Sequence, residues 1–100
     1  MRRHNQAQSL LQAAQDSPTL AQLTSLMQES RRRLRSLDSL IPPNLRTALQ
    51  AGPIEGSDWC ILVSSNAAAA KLRQMLPAMQ AHLHSKGHEV QTIRLKVLSL

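Results

Sequence analysis

Apolar and polar positions change period twice along this 100-residue chain, near Gly52 and near Gly87. Upstream, Leu20, Leu23, Met27, Leu34 and Leu37 recur at threes and fours or their multiples, with Ser30 left inside the stripe. That spacing puts them on one side of a helix of about five turns, near residues 18–37. Ser17-Pro18 opens it: a hydroxyl cap, then a proline at the first helical position, where the missing N–H does no harm. Ile41-Pro42-Pro43 ends this helix and starts a second over 43–51, which Gly52-Pro53 stops. Ile54 to Asp58 then holds a very short strand and a turn, the first arm of an unequal hairpin.

Trp59-Cys60-Ile61-Leu62-Val63 reads as an apolar strand closed by Ser64-Ser65-Asn66. A long helix runs from Ala67 to Lys86, capped by Asn66 or Ser65, with Leu72, Leu76, Met79 and Leu83 as its buried stripe and Met75 at the margin. Pro77 removes the bond to the Arg73 carbonyl, at a cost of about 3 kcal/mol in a bare helix. Either packing compensates, or two helices meet near Leu76. Beyond Gly87 the period becomes two: over 90–98, Ile93, Leu95 and Val97 face one way and Thr92, Arg94 and Lys96 the other. A strand–helix–strand crossover of this length normally returns parallel. The expected fold class is therefore α+β, with three helices packed on one face of a small mixed three-stranded sheet. Its other face shows Thr92, Arg94 and Lys96.

One hundred residues suffice for one core. Residues 17–100 are expected to form that domain, and the Gln-rich residues 1–16 a flexible basic arm, transiently helical around Ser9 to Gln15. Charge sharpens the picture. Twelve Lys and Arg against six Asp and Glu leave +6, with an isoelectric point near 11.2. Nine of the twelve cations are arginines, and the excess is +4 over residues 1–50 and +2 over 51–100. A spread, Arg-rich excess favours a polyanionic partner, nucleic acid first; a soluble basic protein without one is the plainer alternative.

Arg31, Arg32 and Arg35 fall on one flank of the first helix and Arg33 points off the other, with only Glu29 and Asp38 nearby to neutralise them. Such a run is either a solvated face or an anion-binding one. Lys71 and Arg73 lie on opposite flanks of the long helix, and Arg94 and Lys96 share the outer face of the last strand. These seven residues are the candidate nucleic-acid contacts.

The remaining chemistry narrows the function by exclusion. No Ser/His/Asp grouping or paired carboxylates are present, and Gly52, Gly56 and Gly87 make neither a phosphate loop nor a dinucleotide fingerprint. His82 and His84 point about 160° apart on a helix, and His88 lies past Gly87, so helix-end histidines in solvent are preferred to a metal site. No catalytic residue, cofactor or metal is expected. Cys60, the lone cysteine, sits in an apolar strand as a small core residue, and a reducing compartment fits it. No apolar run approaches the roughly 18–20 residues that span a bilayer, and Asn5-Gln6-Ala7-Gln8 denies Arg2-Arg3 the apolar segment of a signal peptide. A cytoplasmic protein without membrane contact is the expectation. Trp59 is the only aromatic residue, a core plug, so a grip on single strands by ring stacking is excluded. Any nucleic-acid binding must be carried by cations and amides on phosphates, tolerant of sequence and steeply dependent on salt.

Several of these segments together resemble a known family. They are the Leu-rich helix, the proline before a short helix, Ile61-Leu62-Val63-Ser64-Ser65, and Ala69-Ala70-Lys71-Leu72-Arg73-Gln74 opening the long helix. Pro77, Leu83, Gly87 and Ile93-Arg94-Leu95-Lys96-Val97 complete the pattern, which is similar to the DciA family over about residues 20–98. The resemblance implies a K-homology-like fold and a role in bacterial chromosome replication, where the family associates with the DnaB-type replicative helicase and assists its loading on DNA. It thus implies two partners, DNA and that helicase; an RNA- or ribosome-binding module of similar fold is the alternative. Three departures bear on what carries over. Ala67 to Ala70 stand where the family often has a tryptophan, and the Gly-x-x-Gly loop with which K-homology domains clamp single strands is lacking. Many members also continue past the last strand into a disordered tail; here any contact made by such a tail is expected to be missing or moved, residues 1–16 being one place for it.

Overall fold

The computed structural model of this chain describes residues 19–98. The basic arm of residues 1–16 and the start at Ser17-Pro18 lie outside the described residues. Within them the order is α1 (Leu20–Ser36), α2 (Pro43–Arg46), β1 (Leu49–Glu55), β2 (Asp58–Val63), α3 (Asn66–Ser85) and β3 (Thr92–Val97). The sheet runs β1-β2-β3, with β1 antiparallel and β3 parallel to the central β2. The α+β class with a small mixed sheet is as expected, and its order is compatible with a K-homology-like arrangement.

Helix α1 begins in a capping box at Thr19. Its hydroxyl accepts from the Gln22 N–H at 3.1 Å, while the Gln22 side chain accepts from the Thr19 N–H at 2.7 Å. The apolar stripe splits in two: Leu37 is fully buried and Leu34 half-buried, but Leu20 is 80% exposed, Leu23 49% and Met27 36%. No described element extends beneath the first turns, so periodicity that promised burial there is not met by a partner.

The second helix is shorter than expected, Pro43–Arg46, because the chain turns into β1 at Leu49 and runs through Gly52-Pro53. Locally that dipeptide looks like a helix stop. Here it forms an irregularity between Ala51 and Ile54 in an edge strand, a place that tolerates a proline without an N–H to donate. Gly52 is required by its neighbour, since a Cβ there would stand 2.6 Å from the Cys60 carbonyl oxygen.

Along β2, Trp59, Ile61 and Val63 are fully buried while Asp58, Cys60 and Leu62 alternate onto the other face. Cys60 is therefore half-buried on the open side of the sheet and not in the core, because strand parity follows Trp59. Burial raises its thiol pKa above the ordinary value, although Lys96 and Arg94 pull the other way. Helix α3, capped by the Ser65 hydroxyl on the Ala68 N–H, covers the buried face with Ala69, Leu72, Met79 and Leu83. It continues through Pro77 as one helix: the fully buried Leu72 before it and Met79 after it hold both halves to one core. Leu76, expected in that stripe, is half-buried. The helix ends in a Schellman turn, with the His88 N–H on the Leu83 carbonyl at 2.9 Å, the Gly87 N–H on His84 at 3.0 Å, and Gly87 at φ 86°. None of the described helices is long and apolar enough to cross a membrane.

Candidate nucleic-acid interface

The site is best built from Ser30, the polar residue left inside α1's stripe. Its side chain is buried, accepts from Trp59 Nε1 at 2.8 Å and donates to the Gly52 carbonyl at 2.6 Å. That pair of bonds pins α1 beside β1 at the irregularity, and with it the direction in which every arginine of the helix points. Arg33, expected to point away from its neighbours, does so by turning inward. It is buried, with its guanidinium carbon 5.9 Å from the Trp59 ring centroid and Nε 3.2 Å from Glu29.

Glu29 gathers three donors, Arg32 at 2.9 Å, Arg33 at 3.2 Å and His88 at 2.9 Å. Partial burial pushes its carboxyl pKa up, but the hydrogen bonds from Arg32, Arg33 and His88 outweigh this and hold it below the ordinary 4.5. Arg32 is thus engaged with an acid, apart from the other two residues assigned to its flank.

Arg31 and Arg35, one turn apart, line a groove with Arg46, whose floor includes Leu34, Leu49, Gln50 and Leu62. Arg46 stands 3.8 Å from Asp38, the one acid at this groove, a weak pairing in solvent. Among the described residues Arg31 and Arg35 enter no ion pair. Two unpaired cations at i and i+4 repel each other, a cost that an anion in the groove would remove.

Gln50 and Leu62 carry the groove onto the open face of the sheet. They are cross-strand partners, and Leu62 in turn pairs with Lys96. Lys96 and Arg94 are exposed there, as expected, with Arg94 3.3 Å from Asp58. The groove and the sheet face are therefore one surface bearing Arg31, Arg35, Arg46, Lys96 and Arg94. Lys71 and Arg73 are exposed on α3, which packs on the opposite face, and do not join it. Lys71 lies instead beside Pro42, Leu45 and Ala48.

Sequence reasoning missed Arg46, which reaches the groove only because the Pro42-Pro43 turn folds α2 back toward Asp38. His82 and His88 are less exposed than expected, His84 is exposed as expected, and the three are separately engaged. His82, half-buried, donates to the Ser36 carbonyl at 2.7 Å; His84 donates to the Val90 carbonyl at 3.0 Å; His88, also half-buried, faces Glu29. Among the described residues no three His, Cys, Asp or Glu side chains cluster as metal ligands.

Comparison with known proteins bears on what this surface serves. The family model described as Dna[CI] antecedent, DciA matches residues 6–95. No curated protein matches the chain. The chain belongs to the DciA family, which is linked to DNA replication and to loading of the DnaB-type helicase.

Proposed function

We propose that this member of the DciA family is a non-enzymatic replication accessory protein that binds DNA and the DnaB-type replicative helicase together and assists the helicase onto DNA. The helicase half rests on family membership. The observation that carries the DNA half is the continuous surface on which Arg31 and Arg35 stand without ion partners, joined through Gln50 and Leu62 to Lys96 and Arg94. Its cations lie on a rigid helix and strand and suit phosphate oxygens. With one tryptophan, buried and bonded to Ser30, and no Phe or Tyr, the chain has no large aromatic platform on which bases could stack. Binding of this kind positions DNA without reading its sequence. A protein lacking catalytic groups promotes loading by favouring one helicase state over another or by holding DNA close to it.

Affinity capture from a lysate of the source organism tests the choice of partner. Recovery of helicase subunits supports the proposal. Recovery of ribosomal proteins or RNA in their place overturns it in favour of an RNA-binding module.

A further inference from the structure

The first two and a half turns of α1 carry an apolar face that no described residue covers. Every residue from Thr19 to Gln28 is exposed, and Leu20 (80%), Leu23 (49%), Leu26 (36%) and Met27 (36%) are the large apolar side chains among them. At 100° per residue these four span an arc of about 120°, the width of a face that helices normally bury. The same side of α1 packs inward farther along, at Ser30, Leu34 and Leu37. The stripe is thus continuous and only its first half lacks cover among the described residues.

Three occupants can be weighed by their chemistry. Residues 19–28 contain no Asp, Glu, Lys, Arg or His, in a chain of net charge +6, so nothing on this face attracts the polyanion bound farther along the helix. A second copy pairing through the same patch would contribute four apolar side chains, against roughly 20–30 residues a side in a stable interface. A larger protein with an apolar groove can enclose protruding turns on several sides, using anchors at the i, i+3 and i+7 spacing of Leu20, Leu23 and Met27.

We infer that the helicase of the proposed function takes this end of α1 into an apolar, helix-receiving groove, an assignment that rests on that proposal. The helix is then bipartite. Its uncharged first half holds the helicase and its arginine-bearing second half holds DNA, with centres about 15 Å apart on one rigid rod.

The test uses the full chain carrying Leu20→Gln, Leu23→Gln and Leu26→Gln, which spares Met27 because that side chain also lines the arginine groove, glutamine being a good helix former. Titrated into the purified helicase of the same organism, this variant is expected to bind at least tenfold more weakly than the unaltered chain. Its DNA affinity and melting temperature should not change. Leu20→Gln alone, at the most exposed of the four, should weaken helicase binding about threefold with no buried atom altered. Undiminished helicase binding overturns the inference. So does a fall of several degrees in melting temperature, which would mean that the chain itself covers the face. A concentration-dependent dimer of the unaltered chain that the variant fails to form also overturns it, in favour of a second copy. A helicase that ignores the unaltered chain refutes the proposed function itself.

Discussion

Replacing Arg31 and Arg35 with alanine should flatten the salt dependence of DNA binding, whereas replacing Arg32 should hardly alter it. The difference follows from Glu29. Its carboxylate sits 2.9 Å from Arg32 and competes with a phosphate for that guanidinium, while Arg31 and Arg35 enter no ion pair among the described residues. Each phosphate neutralised by a free cation contributes about 0.9 to the slope of log affinity against log salt for duplex, and about 0.7 for a single strand. Two such contacts make about 1.8 and 1.4. Between 50 and 200 mM salt, the gap between the unaltered chain and the duplex-bound double variant should therefore narrow about twelvefold. Both side chains are exposed and repel each other at i,i+4, so alanine should not destabilise the helix. Fluorescence anisotropy with labelled oligonucleotides of unrelated sequence, at four salt concentrations, measures the slopes. An unchanged slope in the double variant would refute the assignment of the groove. Equal flattening by Arg32→Ala would refute the argument from Glu29.

Three further outcomes follow from the same geometry. Ser30→Ala strands the Gly52 carbonyl and the Trp59 N–H in the interior, costing about 3 kcal/mol. That is a fall of roughly 12–24 °C in melting temperature, followed by the fluorescence of the single tryptophan; a loss below about 1 kcal/mol would contradict the role of this hydroxyl. Gly52→Ala forces a methyl to 2.6 Å from the Cys60 carbonyl oxygen, and urea unfolding should show a loss of about 1–3 kcal/mol. Glu29 titrates below its ordinary 4.5 in the folded state, so its stabilisation is complete above that value and lost as pH falls through the folded pKa. The stability gap between the unaltered chain and Glu29→Gln should accordingly be widest near neutral pH and close below about 4.5; a gap constant with pH would contradict it.

What the sequence could and could not reveal divides along one physical line. Period and punctuation are local, so α1, α3, β2 and the two faces of β3 were predictable from spacing, and Gly87 from its place after Lys86. Gly52-Pro53 was not, because the same two residues serve a helix stop and an edge-strand irregularity; the choice is made by the Cys60 carbonyl across the hairpin. The parity of β2 was equally open, since Cys60 and Leu62 are as apolar as Ile61 and Val63. Angles around α1 correctly separated Arg33 from Arg31 and Arg35, but neither its burial over Trp59 nor the capture of Arg32 by Glu29 follows from an angle. Periodicity likewise states that Leu20, Leu23 and Met27 share a side without stating what covers it. Arg46 joined the groove through a tertiary turn that no spacing encodes.

The central claim is that one small domain holds helicase and DNA on different surfaces. Calorimetric titration of the purified helicase with the unaltered chain and with an Arg31→Glu, Arg35→Glu, Arg46→Glu variant tests it most directly. The predicted result is saturable binding at micromolar concentration or below, equal for both chains, with DNA binding lost only in the variant. No heat of binding at micromolar concentration, or loss of helicase and DNA binding together, would contradict it.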